Sequence, residues 1–289
     1  MHRLFLALLI AGPLARAANV GGTDALADTL GPALYRHLAS DGGKHQVSFR
    51  GTLPALEGVD RGDLDLAVVL LRDNQSFERT ADGKPVRRFS LGAVAAFVYV
   101  HNSLPIREVN LGALASIYGV GQAADYKFWS DLPGVGFAEP ILPFTIGDQT
   151  HPGNTLFHGI ALSGRPFRGT VRLRVDAALA RETLASRTNA IVVSDRPMPE
   201  GVGRLLPVAD GREGRSATAY LPDDTNIYNA DYPLRLPLVV CVREDRVAAN
   251  RSALAWLLSD EAASQLRKSN FVPAPKVIRD RQAQMLDSK

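Results

Sequence analysis

The sequence predicts an α/β protein whose sheets are largely parallel, and three observations carry that reading. Continuous apolar runs at residues 66–71, 93–100, 140–146, 190–193 and 238–242 suit strands covered on both faces. Between them lie segments with apolar residues at helical spacing. Stretches of small and polar residues lead from strand ends into helix starts, where the unpaired N–H groups of a first helical turn form ready anion sites. Strands alternating with helices argue for layered α/β architecture, in which ligands collect at the carboxyl ends of strands.

In chain order, residues 19–22 form a short strand or turn, and Ala25, Leu26, Leu30, Leu34 and Leu38 lay one apolar stripe along a helix. Thr23 or Asp24 is its natural N-cap, and Gly21 and Gly22 let the backbone approach a ligand. The arrangement then repeats. A weakly alternating strand at 46–49 meets Arg50, Gly51, Thr52, Leu53 and Pro54, with Thr52 able to cap and Pro54 tolerated in the first turn. Asp65 opens the next strand, as a loop acceptor or as a ligand contact. Residues 73–88 read as a polar surface excursion, and 111–118 as a helix ending near Gly119. Residues 140–146 cross Gly147 and a loop, Thr150, His151, Pro152, Gly153, Asn154 and Thr155, into another helix. Residues 176–187 are amphipathic, 251–269 give the longest helical pattern, and 276–289 form a charged tail. Three loops therefore hold the ligand position: 21–24, 50–54 and 150–155.

With 46% hydrophobic and 22% charged residues, the chain has the composition of an ordinary globular protein, and 289 residues suffice for one large or two modest domains. Residues 1–17 read as a secretory signal: Arg3, an apolar run at 4–11, then Ala15, Arg16 and Ala17 as a cleavage site. Export to the periplasm or beyond follows. Removing that segment takes two of the 33 basic residues and none of the 30 acidic ones. The two signs then nearly balance, so the high isoelectric point of the precursor does not argue for a nucleic-acid partner. The single Cys241 cannot form an internal disulfide or a thiolate metal cluster and reads as a small buried hydrophobe. The six histidines include one close pair, His151 and His158, whose spacing is not that of a metal site. Ser130 and Ser194 each precede an aspartate, but no glycine-flanked nucleophile elbow surrounds either. There is no phosphate-cradling or dinucleotide fingerprint, and no cofactor or enzymatic activity is expected.

Several of these segments, in order, resemble the phosphate-binding-protein-like family of type 2 periplasmic solute-binding proteins. They are Gly21-Gly22-Thr23; Gly62-Asp63-Leu64-Asp65-Leu66-Ala67; Trp129-Ser130-Asp131-Leu132; Tyr232-Pro233-Leu234-Arg235-Leu236-Pro237; and Phe271-Val272-Pro273 after the closing helix. The resemblance implies two lobes joined by a hinge, with 18–100 and 220–289 in lobe one and 101–219 in lobe two. It also implies a small oxyanion such as phosphate held between the lobes, an inner-membrane ABC permease as partner, and a monomer. The implied ligand residues are Gly22, Thr23, Asp24, Gly51, Thr52, Asp65, Thr150, His151, Gly153, Asn154 and Thr155.

The third loop departs from the family pattern. Phosphate binders of the family carry an Arg a few residues before Ser-Gly-Thr, and no Arg lies between Pro140 and His158 here. An arginine gives a charge-assisted, two-pronged grip on an oxyanion. His151 could replace it only when protonated; otherwise it is a surface loop histidine. Asp24 would repel a dianion unless a proton bridged them. The sequence thus leaves two functions open: a binding protein for oxyanion uptake, or a sensor or envelope scaffold with a degenerate pocket.

Overall fold

The computed structural model describes residues 17–40, 42–122, 124–147, 152–212, 214 and 217–286. The expected signal segment lies outside them, except for Ala17. No described helix is long and apolar enough to cross a membrane.

The chain opens with β1 (Asn19–Gly22), a short 3-10 turn (Asp24–Leu26), α1 (Leu30–Ala39), β2 (Gln46–Phe49), α2 (Thr52–Arg61) and β3 (Leu66–Leu70). Then come β4 (Val86–Ala95), β5 (Phe97–Val100), β6 (Val109–Asn110) and α3 (Leu111–Tyr118). The middle holds β7 (Leu142–Ile146), α4 (Pro152–Ile160), β8 (Arg172–Val175), α5 (Ala177–Ser186) and β9 (Ala190–Ser194). After β10 (Arg204–Leu205), β11 (Val208–Ala209), β12 (Ala219–Tyr220) and α6 (Asp224–Tyr228), the chain runs into β13 (Arg235–Arg243). It closes with α7 (Arg251–Leu257), α8 (Asp260–Lys268), β14 (Phe271–Pro273) and α9 (Lys276–Met285).

Two sheets divide these strands and define two lobes. The first has the order β14-β4-β13-β3-β1-β2, and the second β10-β5-β9-β7-β8. A small third sheet, β12-β11-β6, flanks the second. Each large sheet is mixed, which corrects the expectation of mostly parallel pairing. The β2-β1-β3 and β9-β7-β8 triplets are parallel, while β13, β4 and β14 and β5 and β10 add antiparallel. The antiparallel strands include those that carry the chain between lobes: β4 feeds β5 across one residue, and β13 returns beside β4.

That single residue, Ala96, is the first crossing. It precedes the expected boundary at residue 101, because β5 pairs with β9 in the second sheet. The return crossing runs from 221 to 234. The two crossings are tied together: Ala96 N–H donates to Leu234 O at 3.0 Å, and the Tyr232 hydroxyl donates to Ala96 O at 2.6 Å. Tyr232 is completely buried, and that burial raises its phenol pKa far above the ordinary range.

Packing follows the alternation of buried strands. On one face of the first sheet, Val68, Val240 and Val242 join Leu30, Leu34, Leu254 and Leu257 from the helices. On the other face, Ala67, Val69 and Cys241 pack against Ala55 and Val59 of α2. The second lobe centres on Tyr118, Trp129, Phe144 and Phe157, all almost wholly buried. Trp129 Nε1 donates to Asn189 O, and the Tyr118 hydroxyl lies 3.1 Å from both Phe144 O and Ile191 O, so these polar edges do not go unpaired. Leu156 of α4 reaches across to the core of the first lobe.

Three expected elements differ in detail. The stripe 25–38 is a 3-10 turn followed by α1, because Leu26 and Leu30 keep helical spacing across the break. The pattern 251–269 is two helices, α7 and α8, with the Ser259 hydroxyl capping the second through Ala262 N–H. The charged tail at 276–289 contains α9. This helix docks through Arg279, which donates to Ala274 O, Leu258 O and Asp260, and through Gln282, which pairs with the backbone of Ser90.

Candidate functional site

At the carboxyl end of β1, Gly22 is buried with the Phe49 ring where a side chain would stand. Thr23 N–H donates to Val68 O at 2.8 Å, extending the sheet by one residue. Neither Thr23 nor Asp24 caps a helix as expected. They lead into a single 3-10 turn without a side-chain cap, and the Thr23 hydroxyl faces the Asp24 carboxylate at 3.4 Å. In the second loop, Gly51 adopts φ 133° and ψ 157°, a conformation only glycine takes readily, and its N–H donates to Gly22 O. The Thr52 hydroxyl is also used internally, accepting Leu70 N–H at 3.3 Å. Both residues brace the ends of β1 and β3.

Asp65 stands apart from the other candidates. It precedes β3 and lies beside Asn19, about 10 Å down the strand from the Gly22–Val68 level. Its carboxylate accepts Asn19 N–H at 3.0 Å and its own N–H donates to Asn19 O, a brace at the amino edge of the sheet. The reading of Asp65 as a ligand contact is corrected on this point of strand direction.

In the third loop, Thr150 and His151 lie outside the described residues. Gly147 follows β7 with φ 107°, and the place a Cβ would occupy is filled by the Asp195 carboxylate. Asp195, wholly buried at the end of β9, accepts from Arg196 Nε at 2.8 Å and Nη2 at 3.2 Å, and this pairing raises the Arg196 pKa. Gly153 is buried in the first turn of α4, and Asn154 Nδ2 donates to Ile146 O at 3.2 Å, holding the helix start against the end of β7. Thr155, one turn in, lines the cleft between the lobes.

That cleft encloses about 500 Å³. The first lobe contributes Thr23, Asp24, Leu70, Arg72 and Asp73, and α4 contributes Pro152, Thr155, Leu156 and Ile160. Asp210, Arg212, Tyr232 and Arg235 close it from the segments near the return crossing. Gly22, Gly51, Thr52 and Asn154 support the loops behind this surface, whereas Thr23, Asp24 and Thr155 present themselves to it.

Sequence reading missed the three arginines. Arg235, nearly buried, places Nη2 2.7 Å from both carboxylate oxygens of Asp73. Arg212 pairs with Asp210, and this hydrogen bond raises its pKa. The guanidinium of Arg72 has no hydrogen bond or ion pair among the described residues. It extends from the end of β3 toward α4, with Nη2 3.5 Å from where a Gly159 Cβ would lie. The signal for Arg72 was its place: it follows the apolar run 66–71 at the carboxyl end of a parallel strand. Asp24 likewise makes no ion pair among the described residues; its carboxylate contacts the Thr23 hydroxyl.

A second cavity, about 590 Å³, opens on the far side of the second lobe among Ile117, Val120, Tyr126, Phe128 and Ile141. None of the expected ligand residues lines it. Its arginine, Arg168, is already engaged by Gly119 O, Tyr126 O and Asp125. Among the described residues, no group of three or more His, Cys, Asp or Glu is placed to hold a metal ion.

The arrangement is that of a two-lobed binding fold: two mixed sheets, two crossings, and a polar cleft where strand ends and a helix start converge. Similar solved structures bear this out. A possible phosphate-binding protein from Planctomyces limnophilus DSM 3776 matches at TM-score 0.69 and 14% identity, covering 94% of this chain and 97% of that one. PstS from Borrelia burgdorferi matches at TM-score 0.66 and 12% identity, over 90% and 99% of the two chains. An ABC-type phosphate transport receptor from Vibrio cholerae matches at TM-score 0.58 and 14% identity, over 88% and 99%. The chain therefore has the fold of the phosphate-binding-protein-like group of type 2 solute-binding proteins. No protein-family model matches it, and no curated protein matches it by sequence.

Proposed function

We propose that this chain is an exported, non-catalytic solute-binding protein that closes its two lobes around phosphate or another small oxyanion and delivers it to an inner-membrane ABC permease. The observation that carries the reading is Arg72, whose guanidinium has no partner among the described residues, in a cleft that also holds Thr23 and Thr155. It supplies from the first lobe the grip that the third loop lacks. A charge-assisted hydrogen bond to such an anion contributes roughly 1.5–3 kcal/mol, or about ten- to a hundredfold in affinity. The signal segment at 1–17 and the solute-binding fold support export and a carrier role. Two of the neighbouring structures are described as a possible phosphate-binding protein and a phosphate transport receptor.

A second reading, a sensor or envelope scaffold with a degenerate pocket, is favoured by one observation. Two of the three cleft arginines are already neutralised by Asp73 and Asp210. Isothermal titration with phosphate, sulfate, molybdate and simple organic phosphates, at pH 5.5 and 7.5, separates the two. Uptake predicts saturable heat with at least one anion and a loss of tenfold or more in the Arg72→Ala protein. Silence with every anion at both pH values leaves the scaffold.

A further inference from the structure

We infer that Arg235 is a second grip for the bound oxyanion, and that Asp73 is an internal stand-in that holds it until the anion takes over. This deepens the proposed function and rests on the same cleft. Arg235 opens β13 directly after the return crossing, where Leu234 O accepts Ala96 N–H, so its backbone is held at the wall of the cleft. Its side chain is only 8% exposed, yet Nη2 alone finds acceptors, the two Asp73 oxygens at 2.7 Å. Nε and Nη1 have no hydrogen-bond partner among the described residues. A guanidinium taken out of water with donors left over is costly to keep, and a further acceptor relieves that cost.

The way the pair is made sets it apart. Arg87, Arg196, Arg212 and Arg243 each meet a carboxylate with two prongs, Nε and Nη2 on separate oxygens. Asp73 instead places both oxygens on one nitrogen of Arg235 and leaves the fork unused. Its carboxylate is 65% exposed and has no other partner among the described residues, so it turns into solvent at little cost. An oxyanion with several oxygens engages a full fork of the guanidinium, and so displaces a carboxylate held through a single nitrogen. Asp73 therefore competes with the solute for one group, and its loss tightens binding.

The test titrates the mature protein with phosphate, sulfate and molybdate at pH 7.5, beside Asp73→Asn, Arg235→Gln and the double variant. Asp73→Asn should tighten the best-bound anion about threefold or more, the scale of a surface ion pair. Arg235→Gln should weaken it about tenfold or more, and the double variant should bind no tighter than Arg235→Gln alone. Asp73 is mostly exposed, so its variant reports whether or not Arg235→Gln folds. Binding that emerges only in Asp73→Asn supports the inference as well. Unchanged or weaker binding in Asp73→Asn overturns it and reduces the pair to a structural tie, while a loss of affinity in Arg72→Ala still upholds the oxyanion cleft. Tightening that persists without Arg235 also overturns it, since that shows only a negative charge removed from the cleft. Silence of both wild type and Asp73→Asn with every anion overturns the inference and the cleft reading together.

Discussion

Cys241 sits inside β13 with its thiol against Ala55, Val59 and Val69, and burial pushes the thiol pKa up to about 12. A group held protonated and enclosed is a poor nucleophile. Iodoacetamide at pH 8 should leave the native protein unmodified for hours and label the urea-unfolded chain within minutes; rapid native labelling would show the strand to be open. The buried role of Cys241 was legible from its apolar neighbours alone. Arg72 was legible in principle, since ligands gather where parallel strands end, yet reading residues 73–88 as a surface excursion drew attention away from its start. Asp65 shows the converse error: an acidic residue at the beginning of a strand lies at the wrong edge. Arg212 and Arg235 carry no local signature, because only the path of the return crossing brings residues so distant in sequence to the cleft.

At the scale of elements, the two devices outside the cleft with most consequence are the docking of α9 and the tie between the crossings. Arg279 reaches from α9 to Asp260 at the start of α8, and this hydrogen bond, helped by Lys276, holds the Asp260 carboxyl below its usual value. The linkage has a definite sign. A depressed carboxyl pKa contributes stability in full above the unfolded value near 3.9, and the contribution fades as pH falls through the folded value. The gap in urea midpoint between wild type and Asp260→Asn should therefore be largest near pH 6 and narrow by pH 3; a constant gap would refute the pairing. At the crossing, Tyr232→Phe leaves the buried Ala96 carbonyl without its hydroxyl partner. That should cost about 1–3 kcal/mol in denaturant unfolding, with little effect if the carbonyl finds another donor. Neither device shows in the sequence pattern. The tail reads as charged because its one buried arginine looks like any other, and Tyr232 looks like a turn aromatic until its partner across the hinge is known.

For the whole molecule, the apolar runs marked strands of both sheets, but residues 93–100, read as one strand, divide at Ala96 between β4 of the first sheet and β5 of the second. The sequence left the antiparallel additions unspecified, since a strand buried on both faces reads the same whichever way its neighbour runs. The division has a further consequence in time. All five strands of the second sheet fall between residues 97 and 205, whereas the first sheet needs β1 near the start and β14 at 271–273. The second lobe can thus close from a contiguous stretch of chain, while the first must wait for pairings such as β13 on β3, separated by more than half the sequence. Non-local pairing of that kind is slow. The cleft, which needs both lobes, is then the last part of the molecule to come into being.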